Sequence, residues 1–174
     1  MDIISHSLIG KILSIPYKNS RKRFIGIIFF SVLADIISIP LYFYVGQIKN
    51  RFLWLPQNND WIGLRELHPY WSLFYDIPHS FFFLLLIIIP LVIFLKIPKI
   101  TIIAYLLHLL IDLFTHTGEW ALKPFYPLNY KFEGLTDAWA WPLSSMIISW
   151  LILFFIIFLF SLFFSKKSFY KKEI

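Results

Sequence analysis

The sequence predicts an all-α integral membrane protein, with four transmembrane helices, a short inserted N-terminal helix and two outer connections. Three observations lead there. First, 59% of the 174 residues are hydrophobic and only 15% are charged, against about 45–50% and about 25% in soluble domains. Second, four apolar runs approach the roughly 20 residues that a bilayer-crossing helix needs. Third, the basic residues gather at the ends of those runs: Lys18, Arg21, Lys22 and Arg23, then Lys96 and Lys99, then Lys166, Lys167, Lys171 and Lys172. That placement is the positive-inside pattern of cytoplasmic loops, so a net charge of +6 reflects topology and not nucleic acid as a partner. Cysteine is absent, which excludes a disulfide, a thiolate nucleophile and a Cys-ligated zinc site. Any metal site must be built from His, Asp and Glu.

The elements follow in order within a single membrane domain, 1–174. Residues 1–15 lack a basic leader and start with an acidic residue, unlike a cleaved signal peptide. The run spans about 22 Å if helical, and Lys11 can snorkel to the cytoplasmic side if the helix inserts. The four spans are 24–45, interrupted by Asp35 and Pro40; 79–95, with Pro90 inside; 100–115; and 141–164. Residues 166–174 form a basic tail. Placing every basic cluster in the cytoplasm makes the spans alternate, so the expected location is the cell (inner or plasma) membrane, multi-pass, with a cytoplasmic C-terminus. The connections 46–78 and 116–140 then lie outside. Trp54, Trp61, Trp71, Trp120, Trp139 and Trp141 gather there, as an interfacial aromatic belt would.

Ionisable groups inside the runs need a reason, because each costs roughly 2.5–3.5 kcal/mol at the bilayer centre. Counted from the cytoplasmic edges, His6 stands ten residues in and Asp35 twelve. His108, Asp112, His116 and His79 stand nine, thirteen, seventeen and seventeen residues in. At 1.5 Å per residue all fall in a band roughly 13 to 26 Å above that edge. His108, Asp112 and His116 also follow at i, i+4 and i+8, on one drifting helix face. Ligand-type residues at i and i+4 can close on one metal ion. Singly, an intramembrane His or Asp serves as an interhelical hydrogen bonder. Together, at compatible depth, they point to a shared site. His68, in a polar loop, stands apart.

At these residues the chain resembles the YdjM-like family of inner-membrane, metal-dependent hydrolases. Four pieces carry the resemblance in order: ISHSLIG at the N-terminus, LADI around Asp35, DIPHSFFF around His79, and HLLIDLFTHTGEWALKPFYPL from His108 to Leu128. Two positions depart from the family pattern: Ile37 stands where a second acidic residue is common, and Phe74 where a further His is common. One metal is therefore a safer expectation than two. The His-x3-Asp step is also similar to the zinc-dependent phospholipase C and nuclease group.

The expected function is a membrane-embedded, metal-dependent hydrolase acting on a lipid-like ester or phosphoester from the outer leaflet. Its partners would be the bilayer and that substrate. His6, Asp35, His79, His108 and Asp112 are the candidate metal ligands, with Asp35 either a ligand or the orienting partner of one. Zn²⁺ is the first candidate, Mn²⁺ or Fe²⁺ the next. Glu119 or His116 would carry protons, and Lys123 and Lys131 would attract an anionic head group. A metal-ion or proton transporter would also keep His and Asp inside the bilayer, and a scaffold could use them to lock helices together. Elemental analysis followed by hydrolysis and ion-flux assays separates the three.

Overall fold

The protein is described by a computed structural model covering residues 2–18, 20–54, 56 and 58–170. Six helices organise it: α1 (Ile3–Ser14), α2 (Arg21–Ile48), α3 (Pro69–Asp76), α4 (Phe81–Phe94), α5 (Ile100–Thr115) and α6 (Leu143–Tyr170). Short helical turns fill the connections, and an antiparallel bridge joins Leu122 to Phe132.

Asp2 starts α1 by accepting hydrogen bonds from the Ser5 backbone N–H at 3.0 Å and the Ser5 hydroxyl at 2.6 Å, satisfying donors that a helix start leaves open. Pro16 ends it in a tight turn, and the chain reverses into α2. The α1–α2 crossing is close because Gly10 has no side chain: a Cβ there would lie 2.8 Å from Ser31 Cβ and 3.1 Å from Ile28 Cα. α1 also touches α5 and α6, and the Trp150 indole N–H reaches Asp2 Oδ1 at 3.1 Å.

Two helices, Arg21–Ile48 and Leu143–Phe164, are long and apolar enough to cross a membrane, and α3 with α4 makes a third if that bent pair is one span. The expected span 24–45 is thus the middle of a longer helix that continues through Pro40. The span expected at 79–95 differs more. A 55° bend separates α3 from α4, so His79 lies in the bend and not within a helix. The cause is local: Pro78 interrupts the pattern, and Ser80 caps α4 by accepting the Phe83 N–H at 3.1 Å. Pro90 follows a π-helical stretch, Leu84–Ile88, whose wider turn accommodates the missing N–H. α5 keeps the expected bounds, but at 16 residues it spans only about 24 Å. α6 extends past the expected residue 164 to Tyr170, and the tail residues 171–174 lie outside the described residues. No described residue of its apolar stretch Leu143–Phe164 is buried, and a helix apolar all round suits lipid.

The tryptophans correct the expected belt. Trp54 is exposed, but Trp61, Trp71 and Trp120 are buried and pack with Leu41, Val45, Leu64, Tyr75 and Leu122 into a core beneath the connections. A second core joins Phe30 and Ala34 of α2 to Leu84, Ile88 and Val92 of α4 and to Tyr105 and Leu109 of α5. Buried Arg65 binds the first to the chain around it: its guanidinium donates to the Glu119 carbonyl at 2.9 Å, the Ala121 carbonyl at 2.6 Å and Asp76 Oδ1.

Candidate metal centre

α5 buries one face, comprising Thr101, Ala104, Tyr105, His108, Leu109 and Asp112. His108 and Asp112 therefore project together toward α2 and the α3–α4 bend. Asp35 arrives from mid-α2 and His79 from the bend. One ligand atom from each of Asp35, His79, His108 and Asp112 lies within 4.8 Å of the others.

The separations test whether an ion fits. Tetrahedral coordination with bonds of about 2.0–2.2 Å has edges of roughly 3.3–3.6 Å. His79 Nε2 and His108 Nε2 are 3.4 Å apart. Asp112 Oδ2 lies 3.2 Å from His108 Nε2 and 3.7 Å from His79 Nε2. Asp35 Oδ1 is slightly farther, at 3.8 Å from His108 Nε2 and 3.9 Å from His79 Nε2. His79, His108 and Asp112 come near these edges and Asp35 stands a little outside them, a group that could close on a small divalent cation.

The imidazole tautomers point the same way. His79 Nδ1 is 2.8 Å from the Tyr75 carbonyl, and His108 Nδ1 is 2.8 Å from the Ser31 carbonyl. A carbonyl only accepts, so each Nδ1 carries a proton and each ring, when neutral, turns an Nε2 lone pair inward. Two lone pairs facing each other at 3.4 Å repel unless a cation or proton lies between them. Hydrogen-bonding the far nitrogen to a carbonyl is how metal-binding imidazoles are usually oriented. Tyr75 stacks on His79 at 4.4 Å and Tyr105 lies near-parallel to His108 at 6.2 Å, fixing both rings.

His6 stands beside this group. Its Nε2 meets Asp112 Oδ1 at 2.9 Å and its ring stacks on His108 at 3.9 Å. It therefore holds the carboxylate oxygen that faces away from the two imidazoles. His116 ends α5 in an extended conformation. The Trp139 indole N–H donates to its Nε2 at 3.2 Å, which puts the proton of the neutral ring on Nδ1, 3.8 Å from Asp112 Oδ1.

A cavity of about 350 Å³ leads outward from this group, lined by Asp2, Ile3, Asp35, Ser38, Ile39, Tyr42, Phe43, Tyr75, His116 and Trp139. Of the four clustered residues only Asp35 is appreciably exposed, at 21%, against 1% or less for the others. Among the described residues Asp35 Oδ2 has no hydrogen-bond partner. Ile3, Ile39 and Phe43, by contrast, also form part of the molecule's apolar outer surface. The cavity thus joins a polar floor to an apolar flank.

No family model, curated protein or solved structure matches the chain. The residues themselves carry the assignment: a buried Asp/His/His/Asp group able to bind a metal ion.

Glu119 stands elsewhere. Its Oε1 accepts the Gly63 N–H at 3.1 Å, and it lines a separate pocket on the connections. The turn Gly118–Trp120 folds toward Gly63 and turns Glu119 away from Asp112. Lys123 and Lys131 line neither cavity, and Lys131 pairs with Glu133 at 3.2 Å. Sequence reasoning missed Tyr42, Tyr75 and Trp139. Tyr42 stands seven residues after Asp35, and Tyr75 four before His79, spacings that share a helix face. Trp139 has no local signal, because a long connection brings it back over His116.

Proposed function

We propose that this protein is a membrane-embedded, metal-dependent hydrolase of a lipid-like ester or phosphoester, reached from the outer leaflet. The observation that carries the reading is the coordination-sized group of Asp35, His79, His108 and Asp112, of which Asp35 lines a cavity whose flank is apolar. His79, His108 and Asp112, with the shortest mutual separations, would hold the ion, and Asp35 would complete the set on the cavity side. Mixed imidazole and carboxylate donors favour Zn²⁺, then Mn²⁺ or Fe²⁺. A bound ion of this kind acidifies water to near neutrality and polarises the scissile oxygen.

The chain's own groups complete the chemistry. Asp35 lines the cavity and its Oδ2 has no hydrogen-bond partner among the described residues, so it accepts the proton of the attacking water. His116 lines the same cavity with its proton on Nδ1 and, as a neutral imidazole, donates a hydrogen bond toward the leaving oxygen, which takes the proton that Asp35 has accepted. Trp139 fixes that tautomer, and His6 holds Asp112 in place. Ile3, Ile39 and Phe43 receive the apolar chain.

The resemblance to the YdjM-like family supports the same class of reaction. In this reading α2, α3 with α4, α5 and α6 are four passes, α1 inserts beside them, and the basic tail is cytoplasmic. The test is elemental analysis of the purified protein, with hydrolysis and ion flux measured in lipid vesicles. Stoichiometric metal and metal-dependent ester cleavage are expected, and His108→Ala and Asp112→Ala should abolish both. Full metal occupancy in both variants, or metal-dependent ion flux without cleavage, overturns the proposal.

A further inference from the structure

Beside the metal cavity lies a second pocket of about 250 Å³, smaller than a site for a drug-sized ligand and suited to a head group. Its lining includes Trp61, Trp120 and Trp139, the carboxyl-bearing Glu119 and Asp137, and Thr117; among the described residues no Lys or Arg lines it. Trp61 and Trp120 are only 5% and 7% exposed, so they are enclosed by protein and do not form an outward belt. Their rings meet edge to face at 4.7 Å, and Trp120 is stacked on Tyr42 at 5.9 Å and on Trp139 at 5.3 Å, so Trp139, 38% exposed, is the accessible indole of the three. Glu119 Oε1 takes the Gly63 N–H and Asp137 Oδ1 takes the Trp139 N–H. These bonds hold each carboxylate at the pocket by one oxygen. Arg65, which bonds the Glu119 carbonyl, is matched by Asp76.

We infer that this pocket binds an alkylammonium group, the cationic end of a zwitterionic or cationic lipid substrate. Indole faces attract cations through their quadrupole and are the preferred walls for quaternary ammonium groups. Two carboxylates without a basic residue in the lining add a negative potential of the same sense. A sugar would also stack on an indole and give its hydroxyls to the carboxylates, and a glucoside is therefore the second control in the test below. The pocket is joined to the metal cavity by one side chain: Trp139 lines both and donates its indole N–H to His116. An ammonium seated against Trp139 therefore sits one indole away from the imidazole that faces the metal group. This deepens the hydrolase reading and rests on it for the link to cleavage, whereas ammonium binding itself needs no metal.

The test uses the full-length protein in detergent, stripped of metal by chelation and titrated with tetramethylammonium or methylammonium while tryptophan fluorescence is followed. 3,3-Dimethyl-1-butanol, the neutral counterpart of choline, and methyl glucoside serve as controls. Saturable quenching by an ammonium ion and none by the neutral alcohol is expected. The stronger of the two ammonium ions tells a quaternary from a primary head group. The double variant Glu119→Gln/Asp137→Asn should weaken binding at least tenfold while retaining its metal content before chelation, which reports an intact fold. No saturable response to either ion, an equal response to the neutral alcohol, a response to the glucoside alone, or unchanged binding in the double variant overturns the inference. Because the titration is made without metal, its failure is separate from failure of the hydrolase reading, which is judged by metal content and cleavage.

Discussion

His6 and His116 both touch Asp112, yet the structure gives them different work. His6 Nε2 holds Asp112 Oδ1 at 2.9 Å and lies outside the four-residue group. Replacing it with Ala should leave all four donors and lower metal affinity about 10–100-fold, as loss of an orienting partner does; competition against a chelator measures this. Replacing His116 with Ala should spare metal content and reduce the rate of the proposed ester cleavage by about 10²–10³, the usual contribution of a hydrogen-bond donor aimed at developing charge. A variant that loses both metal and activity would make His116 a ligand. The residue types of the centre were legible in the sequence because charges are scarce in the apolar runs, so His108 and Asp112 one turn apart stand out. What orients them was not. The Ser31 and Tyr75 carbonyls that fix the imidazoles belong to the backbone, and any residue there would offer the same oxygen.

Helix contacts set the tolerance of the centre. The α1–α2 crossing places Gly10 against Ser31, the residue whose carbonyl holds His108 Nδ1. Gly10→Val should force the helices apart, costing about 1–3 kcal/mol by overpacking, and should weaken metal binding through the displaced carbonyl. Thermal unfolding with and without added Zn²⁺ would separate the two effects. Apolar length made α2 and α6 readable from sequence. The α3–α4 break was harder, because the apolar run 79–95 continues past His79 without a change of composition. Only Pro78 and Ser80 mark the change of direction. The buried tryptophans were misread for a related reason: an indole at an interface and one in a core look alike in sequence, and their depth is set by the connections that fold over them.

The whole molecule joins an apolar helical body to a cap of connections over the metal group. If the basic clusters are cytoplasmic and the cap external, single cysteines introduced into this cysteine-free chain will report it. Lys22→Cys should react with an impermeant maleimide only in inside-out vesicles, and Leu135→Cys, 84% exposed, only in intact cells or spheroplasts. Labelling of both from the same side would remove the four-pass arrangement. The pairing of His6 with Asp112 has one more consequence, in time. The partners are 106 positions apart, which a ribosome covers in about 5–20 s. During that interval the first helix is made while its carboxylate partner is not. An ion held by this group would thus be captured late in biogenesis, and a nascent chain arrested before α5 would lack His108 and Asp112 to retain it.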